Sequence, residues 1–212
     1  MWKKIDAVLP MSYREQIYGR SFFRYHIGLC FRFIIYLKYL IIRKAARHNG
    51  AIIGKDTIIS WNLAKKANKN LVIGNSSIIA KTASLDLRSK IVIGNNVIIN
   101  RGVTILRASH DVDDPYFSTT FNDLIIEDYV WLSTGCVIIP RVSMIGEGAI
   151  IGAYSVLTTK KVAPMFIMAG NPARMIKERK QTHFKLVTES MQSGDLKQYR
   201  RNRRYFRKQE KL

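Results

Sequence analysis

Between residues 124 and 158 an aliphatic side chain returns at near six-residue steps: Ile126, Leu132, Ile138, Ile145, Ile151 and Leu157. Neither common element has that period, since a strand alternates every second residue and a helix brings its apolar face back at three and four. Six residues fit a short strand plus a corner, repeated. Each corner then adds one aliphatic to a stack, and each turn of the coil completes its core on its neighbours. Gly146 and Gly152 directly follow Ile145 and Ile151, as expected where the backbone bends tightly or packs without a side chain. The same rhythm runs upstream. Ile53-Gly54, Ile73-Gly74 and Ile93-Gly94 recur at twenty-residue steps, with Ile59, Ile79, Leu85, Ile99 and Ile105 between them. So long a repeat argues against the alternative, an antiparallel sandwich rich in Ile and Val.

A chain of 212 residues holds one such coil with appendages. Its net charge of +20 is unevenly spread: Lys and Arg exceed Asp and Glu by 8 in residues 1–50, by 3 in 51–170 and by 9 in 171–212. The coil is nearly balanced and the flanks are basic, so the charge bears on where or on what the protein sits rather than on the coil's chemistry. Cys30 and Cys136 lie in apolar runs without the spacing of a metal site or a disulfide framework, which fits a reducing compartment.

Residues 21–47 are long, aromatic and free of proline, which predicts a helix. Its most apolar part, residues 27–42, is short for a membrane span and holds Arg32 and Lys38; no small-residue cleavage site follows it, as a signal peptide would require. Two roles remain open: an aromatic, basic helix in the interface of an anionic leaflet, and a cap across one end of the coil. Residues 61–70 break the ladder and read as a loop leaving the coil. Asn75, Asn95 and Asn96 read as corner residues, because Asn tolerates left-handed backbone. After Ile105 the ladder stops until Ile126, and the polar excursion between them, residues 107–123, carries His110 beside Asp111, Asp113 and Asp114. A long excursion from so regular a coil points to function. The stretch MAGNPARMI, residues 168–176, reads as a loop and the start of a closing segment, and the Arg-rich tail as partly helical.

Over residues 51–174 four motifs are specific: Ser109-His110-Asp111, Val130-Trp131, Ile151-Gly152-Ala153-Tyr154-Ser155-Val156 and Ala169-Gly170-Asn171-Pro172-Ala173. In these the chain resembles the bacterial hexapeptide-repeat acyltransferases, closest to the capsule and exopolysaccharide and the galactoside or maltose O-acetyltransferase-like branch. The resemblance implies an all-β core, a left-handed parallel β-helix of hexapeptide repeats with N-terminal and C-terminal helical appendages. Handedness comes from the resemblance alone, because parallel connections are otherwise right-handed. The layout is a basic aromatic helical segment over 1–50, the β-helix over 51–178 with its loop at 107–123, and a basic helical tail over 179–212.

The resemblance also implies a chemistry. Transfer of an acetyl group from acetyl-CoA to a sugar hydroxyl needs a group that takes a proton from a barely acidic alcohol, and imidazole suits that task near neutral pH. His110 matches the family's general base. A backbone carbonyl or a carboxylate, Asp111 or Asp113, is to orient its other nitrogen, with Asp111 counted with the catalytic group and Asp113 beside the acceptor. An N–H from the corner around Ser133 is to meet the oxyanion, and Asn100 matches a position near the acceptor. The cofactor is expected in a groove between subunits of a homotrimer, with Trp131 as a wall and Thr134 and Ala153 along the pantetheine arm by backbone contacts. Thr158 and Thr159 come further along, and Lys160, Lys161 and Arg174 meet the phosphates and adenosine. Leu132-Ser133, Pro140-Arg141-Val142 and Tyr154 depart from the family pattern and bear on the shape of that groove. Cys136 is the rival nucleophile for a ping-pong route, but it sits within an aliphatic run. The setting implied is the cytoplasm, peripheral at the inner face of the membrane, in surface-polysaccharide synthesis with a saccharide acceptor, the lipid-linked saccharides of that branch included. Runners-up are transfer to serine or to an amino group of a nucleotide-linked sugar, and, in another class, a non-catalytic protein binding nucleic acid through the tail.

Overall fold

The computed structural model describes residues 21–182 together with Leu196, Tyr199 and Arg200. The remaining tail, with His183 and most of the Arg-rich run, lies outside the described residues. The aliphatic ladder becomes the inside of a three-sided parallel coil of about six turns. Ile53, Ile73, Ile93, Ile126, Ile145 and Val162 stack in register on the first side. Ile79, Ile99, Leu132, Ile151 and Met168 stack on the second, and Leu85, Ile105, Ile138 and Leu157 on the third. All but Leu85 are buried, each contributing about 1.5–3 kcal/mol of transfer free energy. The glycines after the first-side aliphatics mark close approach between turns. A Cβ at Gly74 would stand 2.7 Å from the carbonyl carbon of Gly94.

Three local readings change. Residues 61–70 are not a plain loop: a short helix, Trp61–Lys66, takes the place of a third-side strand in the first turn and buries Leu63 and Ala64. Its start was written in Ser60, whose hydroxyl accepts from Leu63 N at 3.1 Å. The excursion after Ile105 is an antiparallel hairpin, Ala108–His110 against Thr119–Phe121. Residues 168–176 belong to a second hairpin, Phe166–Gly170 against Ala173–Glu178, which ends the parallel stack with an antiparallel strand.

The helix Phe22–His48, here α1, is longer than its most apolar part, and by length and composition it is the one helix among the described residues that could cross a membrane. The described residues fall into two units: the coil from Ile42 onward, including the last two turns of α1, and the rest of α1 with Leu196, Tyr199 and Arg200. Those last turns close the first turn of the coil. Ile42 and Ala46 are buried, Arg43 Nη1 donates to Thr57 O at 3.1 Å, and Arg47 Nε donates to Ile53 O at 3.0 Å.

Candidate active site

The hairpin grows from the third corner of the coil, and its root is tied by a residue that sequence reasoning passed over. Arg107 is fully buried. Its Nη1 donates to Val142 O at 2.7 Å and Asn122 O at 3.3 Å, and its Nη2 to Ile139 O at 2.6 Å. One guanidinium thereby joins the start of the outgoing strand, the end of the returning strand and the next turn of the coil. Its Nε has no partner among the described residues. Burial lowers its pKa to about 10, while Asp86 and Asp123 act against that fall, so it keeps its proton at neutral pH. Asp86 accepts from Arg107 N at 3.1 Å and pairs with Arg88 at 2.8 Å. Asp123, which accepts from Ser89 Oγ and from Lys90 N, lies at the other root. The signal available in sequence was a lone Arg two residues past a ladder position, Ile105.

His110 ends the outgoing strand and is exposed. Its Nδ1 lies 2.9 Å from Phe117 O, and its ring stacks on the Phe117 ring at 4.4 Å and 7°. The carbonyl can only accept, so the neutral imidazole carries its proton on Nδ1 and leaves the Nε2 lone pair free to accept another. The orienting group is therefore a backbone carbonyl rather than Asp111 or Asp113. Asp111 Oδ1 accepts from Asp113 N at 3.1 Å and shapes the tip of the hairpin. Asp114, given no role from sequence, holds the carbonyl in place. It accepts from Tyr116 N at 3.0 Å and Ser118 N at 3.1 Å, and its own carbonyl accepts from Phe117 N at 2.8 Å. A hydrogen bond from the Ser118 side chain leads the causes that hold the Asp114 carboxyl below its usual range. Phe117 sits at φ +51°, a strained left-handed conformation for an aromatic residue.

The second corner of the coil collects another group of expected residues. Asn100 and Ser133 stack there, with Asn100 N donating to Leu132 O at 3.0 Å and Ser133 N to Ile151 O at 2.9 Å. The Ser133 N–H is thus spent on the coil. The next residue is different: the turn 133–136 closes with Cys136 N on Ser133 O and has Gly135 at φ +70°, while the Thr134 N–H has no acceptor among the described residues. Ala153 repeats this one turn on, before Tyr154 at φ +54°. The Tyr154 ring lies over Gly135, where a Cβ would stand 2.6 Å from Cδ1. Trp131 points outward on the second side, between Ile98 and Ile150 in register.

Thr158, Thr159 and Lys160 follow the strand Val156–Leu157 toward the third corner, and Lys161 opens the last first-side strand. Lys160 and Lys161 are exposed. Arg174 stands exposed in the closing hairpin. Within one chain, then, His110 and the open N–H groups of Thr134 and Ala153 occupy different edges of the third side. Cys136 is fully buried, and burial pushes its thiol up to about 12, so it holds no thiolate near neutral pH and is no nucleophile. A groove of about 580 Å³ beside the hairpin root is lined by Lys66, Asn68, Asn70, Asp86 and Arg88, none of them expected from sequence.

These features define a class first: a parallel β-solenoid of hexapeptide turns carrying one imidazole on a projecting hairpin. Its structure is similar to that of a hexapeptide-repeat acetyltransferase from Vibrio cholerae O1 biovar eltor solved with acetyl coenzyme A, with a TM-score of 0.57, 22% identity, and coverage of 80% of this chain and 85% of that one. That likeness establishes the fold. In sequence it is similar to the chloramphenicol acetyltransferase of Morganella morganii, 38% identical over 73 residues, 32% of this chain and 34% of that one. It is also 40% identical over 57 residues to the chloramphenicol acetyltransferase of Agrobacterium fabrum, 27% of this chain and 26% of that one. The chain spans about a third or less of the length of these curated relatives. No family model matches it.

Proposed function

We propose that this chain is an acetyl-CoA-dependent O-acetyltransferase that acts on a sugar hydroxyl in bacterial surface-polysaccharide synthesis. One observation carries the reading. His110 Nδ1 is bound to Phe117 O, and this leaves Nε2 as an exposed proton acceptor of fixed tautomer on the one hairpin that leaves the coil before its end. The segmental identity to acetyltransferases and the shared fold support it.

The residues present suit the donor. Pantetheine carries amide carbonyls, and the Thr134 and Ala153 N–H groups are outward donors without acceptors; Lys160 and Lys161 are exposed cations of the kind a polyphosphate requires. Acetyl-CoA supplies an acetyl group activated as a thioester. Nε2 of His110 takes the acceptor hydroxyl proton as that oxygen bonds to the acetyl carbon. The Ser133 corner amide is used by the coil, so the oxyanion takes its N–H donor from elsewhere in the completed site. As the carbon–sulfur bond breaks, His110 returns the proton to the sulfur, so the ester and a free thiol form and the imidazole is regenerated. No residue of the chain is acylated.

Because His110 and Thr134 stand on different edges of one coil, the site is completed by a neighbouring copy, in the homotrimer that the resemblance implies. The placement is cytoplasmic, peripheral at the inner face of the membrane, where lipid-linked saccharides are assembled. The polysaccharide setting rests on the resemblance of the basic aromatic N-terminal segment to that branch. The test is a screen of purified protein with acetyl-CoA against candidate saccharides, following free thiol. Thiol release with a saccharide and not with serine or an amino sugar supports the reading, and release with an amino sugar alone replaces it with N-acetyl transfer.

A further inference from the structure

Helix α1 has two unlike faces. Phe23, Ile27, Phe31, Ile34, Leu37 and Ile41 follow one another at steps of four, four, three, three and four, which keeps them on one stripe, and they are between 38% and 73% exposed. The eighteen steps from Phe23 to Ile41, at about 1.5 Å each, make that stripe roughly 27 Å long. Arg24, Lys38 and Lys44 are exposed along its borders, and the helix contains no acidic residue.

The opposite face is occupied. Tyr199 of the tail stacks on Tyr25 at 4.9 Å and 7°, and its hydroxyl donates to Tyr25 O at 3.2 Å. The Arg32 guanidinium lies 4.1 Å from the centre of the Tyr199 ring. Gly28 makes room for this contact, since a Cβ there would stand 2.6 Å from Tyr199 Oη. A helix that crosses a bilayer meets hydrocarbon on every open side, whereas this one keeps a charged, protein-covered back and offers a single apolar front.

We propose that α1 lies flat on an anionic lipid surface, with the Phe23–Ile41 stripe sunk among the acyl chains and Arg24, Lys38 and Lys44 at the level of the lipid phosphates. Charge selects this occupant. A stripe bordered only by cations suits an anionic leaflet, whereas a second copy of the same stripe would set cations against cations. The inference deepens the membrane placement proposed above by naming the surface and the lipids, and is independent of the chemistry at His110.

The experiment is flotation of the full-length protein with phosphatidylcholine vesicles, alone or with about a third phosphatidylserine. Binding to the anionic vesicles is expected, with release by an alkaline carbonate wash. Phe31→Glu with Ile34→Glu should abolish flotation, with the thermal transition of the coil confirming that the variant is folded. Should that pair unfold, Lys38→Ser alone, on an exposed side chain, should weaken flotation about fivefold. Equal binding to neutral vesicles, full flotation of both variants or retention after carbonate would overturn the proposal. So would a smaller oligomer for the Phe31 and Ile34 variant when the parent does not float, because the stripe would then be a contact between copies. Acetyl transfer to a soluble saccharide, measured without vesicles, should be the same for parent and Phe31→Glu. Its absence in both, with flotation intact, would sink the enzyme reading and leave this one standing.

Discussion

At the first corner of the coil, Asn75, Asn95 and Asp128 pass their side-chain oxygens along the stack: Asn75 Oδ1 accepts from Lys55 N at 2.8 Å, Asn95 Oδ1 from Asn75 N at 2.8 Å, and Asp128 Oδ1 from Asn95 N at 2.7 Å. At the second corner the same turn recurs, with left-handed residues Gly102, Gly135 and Tyr154 where the first has Ser76 and Asn96. Yet the N–H groups of Arg101, Thr134 and Ala153 have no acceptor among the described residues. The backbone alone does not distinguish the two edges. Side chains do over the first three turns: there Asn and Asp close the first edge on itself, and their absence leaves the second edge with donors for another molecule. An edge that satisfies its own amides holds the coil together, and one that does not is available for binding.

The largest expected effect tests whether the open edge has a chemical partner at the hairpin. His110→Ala should lower kcat by about a hundredfold to ten-thousandfold with an unchanged thermal transition. Near-full turnover would remove the assigned base and with it the reason to call the second edge functional. Arg107→Met comes next. It deletes the tie between hairpin and coil while filling most of the space, and about a hundredfold lower kcat with KM for acetyl-CoA unchanged would show that the guanidinium acts by positioning His110. A parallel rise in KM would mean instead that the coil beneath had moved.

The comparison itself is broken or sharpened by a matched pair. Thr134→Pro removes the open N–H and keeps the turn, because position two of a turn with Gly135 third at φ +70° suits the fixed φ of proline, and Thr134→Ala is the control for the lost hydroxyl. KM for acetyl-CoA should rise about tenfold, the worth of one hydrogen bond, with little change in stability. Asn95→Ala should do the reverse, costing about 1 kcal/mol of stability by denaturant melting while KM is unaffected, since it removes the acceptor of the Asn75 N–H. If the two variants cannot be told apart by these measurements, the distinction between a closed and an open corner has no functional content.

How much of this the sequence carried depends on the range of the interaction. The six-residue return of Ile126, Leu132, Ile138, Ile145, Ile151 and Leu157 is a local regularity, and it placed both the core and the corners. Thr134 and Ala153 were named from motif alone and then found with open amides, since a turn of given type exposes the same N–H wherever it recurs. The helix Trp61–Lys66 was missed because three lysines and three asparagines outweighed the Ser60 cap in a short stretch. The partner of His110 was not legible, because Asp111 and Asp113 are nearer in sequence while Phe117 O is brought round by a turn that Asp114 holds. Arg107 was illegible for a similar reason, since Ile139 and Val142 belong to the following turn of the coil.

The smallest effect concerns Cys136, which lies in the turn that opens the second edge and so bears on whether that edge binds or reacts. It is fully buried, and burial pushes its thiol up to about 12, whereas Cys30 is exposed. At pH 8 the folded protein should release colour from one thiol with an aromatic disulfide reagent, and from the second only on unfolding. A thiol held protonated in the native state and free to ionise in the unfolded one favours the native state less as pH rises above the ordinary thiol value, because the unfolded chain then binds fewer protons. Stability should therefore decline slightly above about pH 8.5, and Cys136→Ala should flatten that decline while leaving turnover unchanged. Rapid labelling of both thiols in the native protein, or loss of turnover in Cys136→Ala, would instead place a reactive sulfur beside Thr134 and return the ping-pong route to contention.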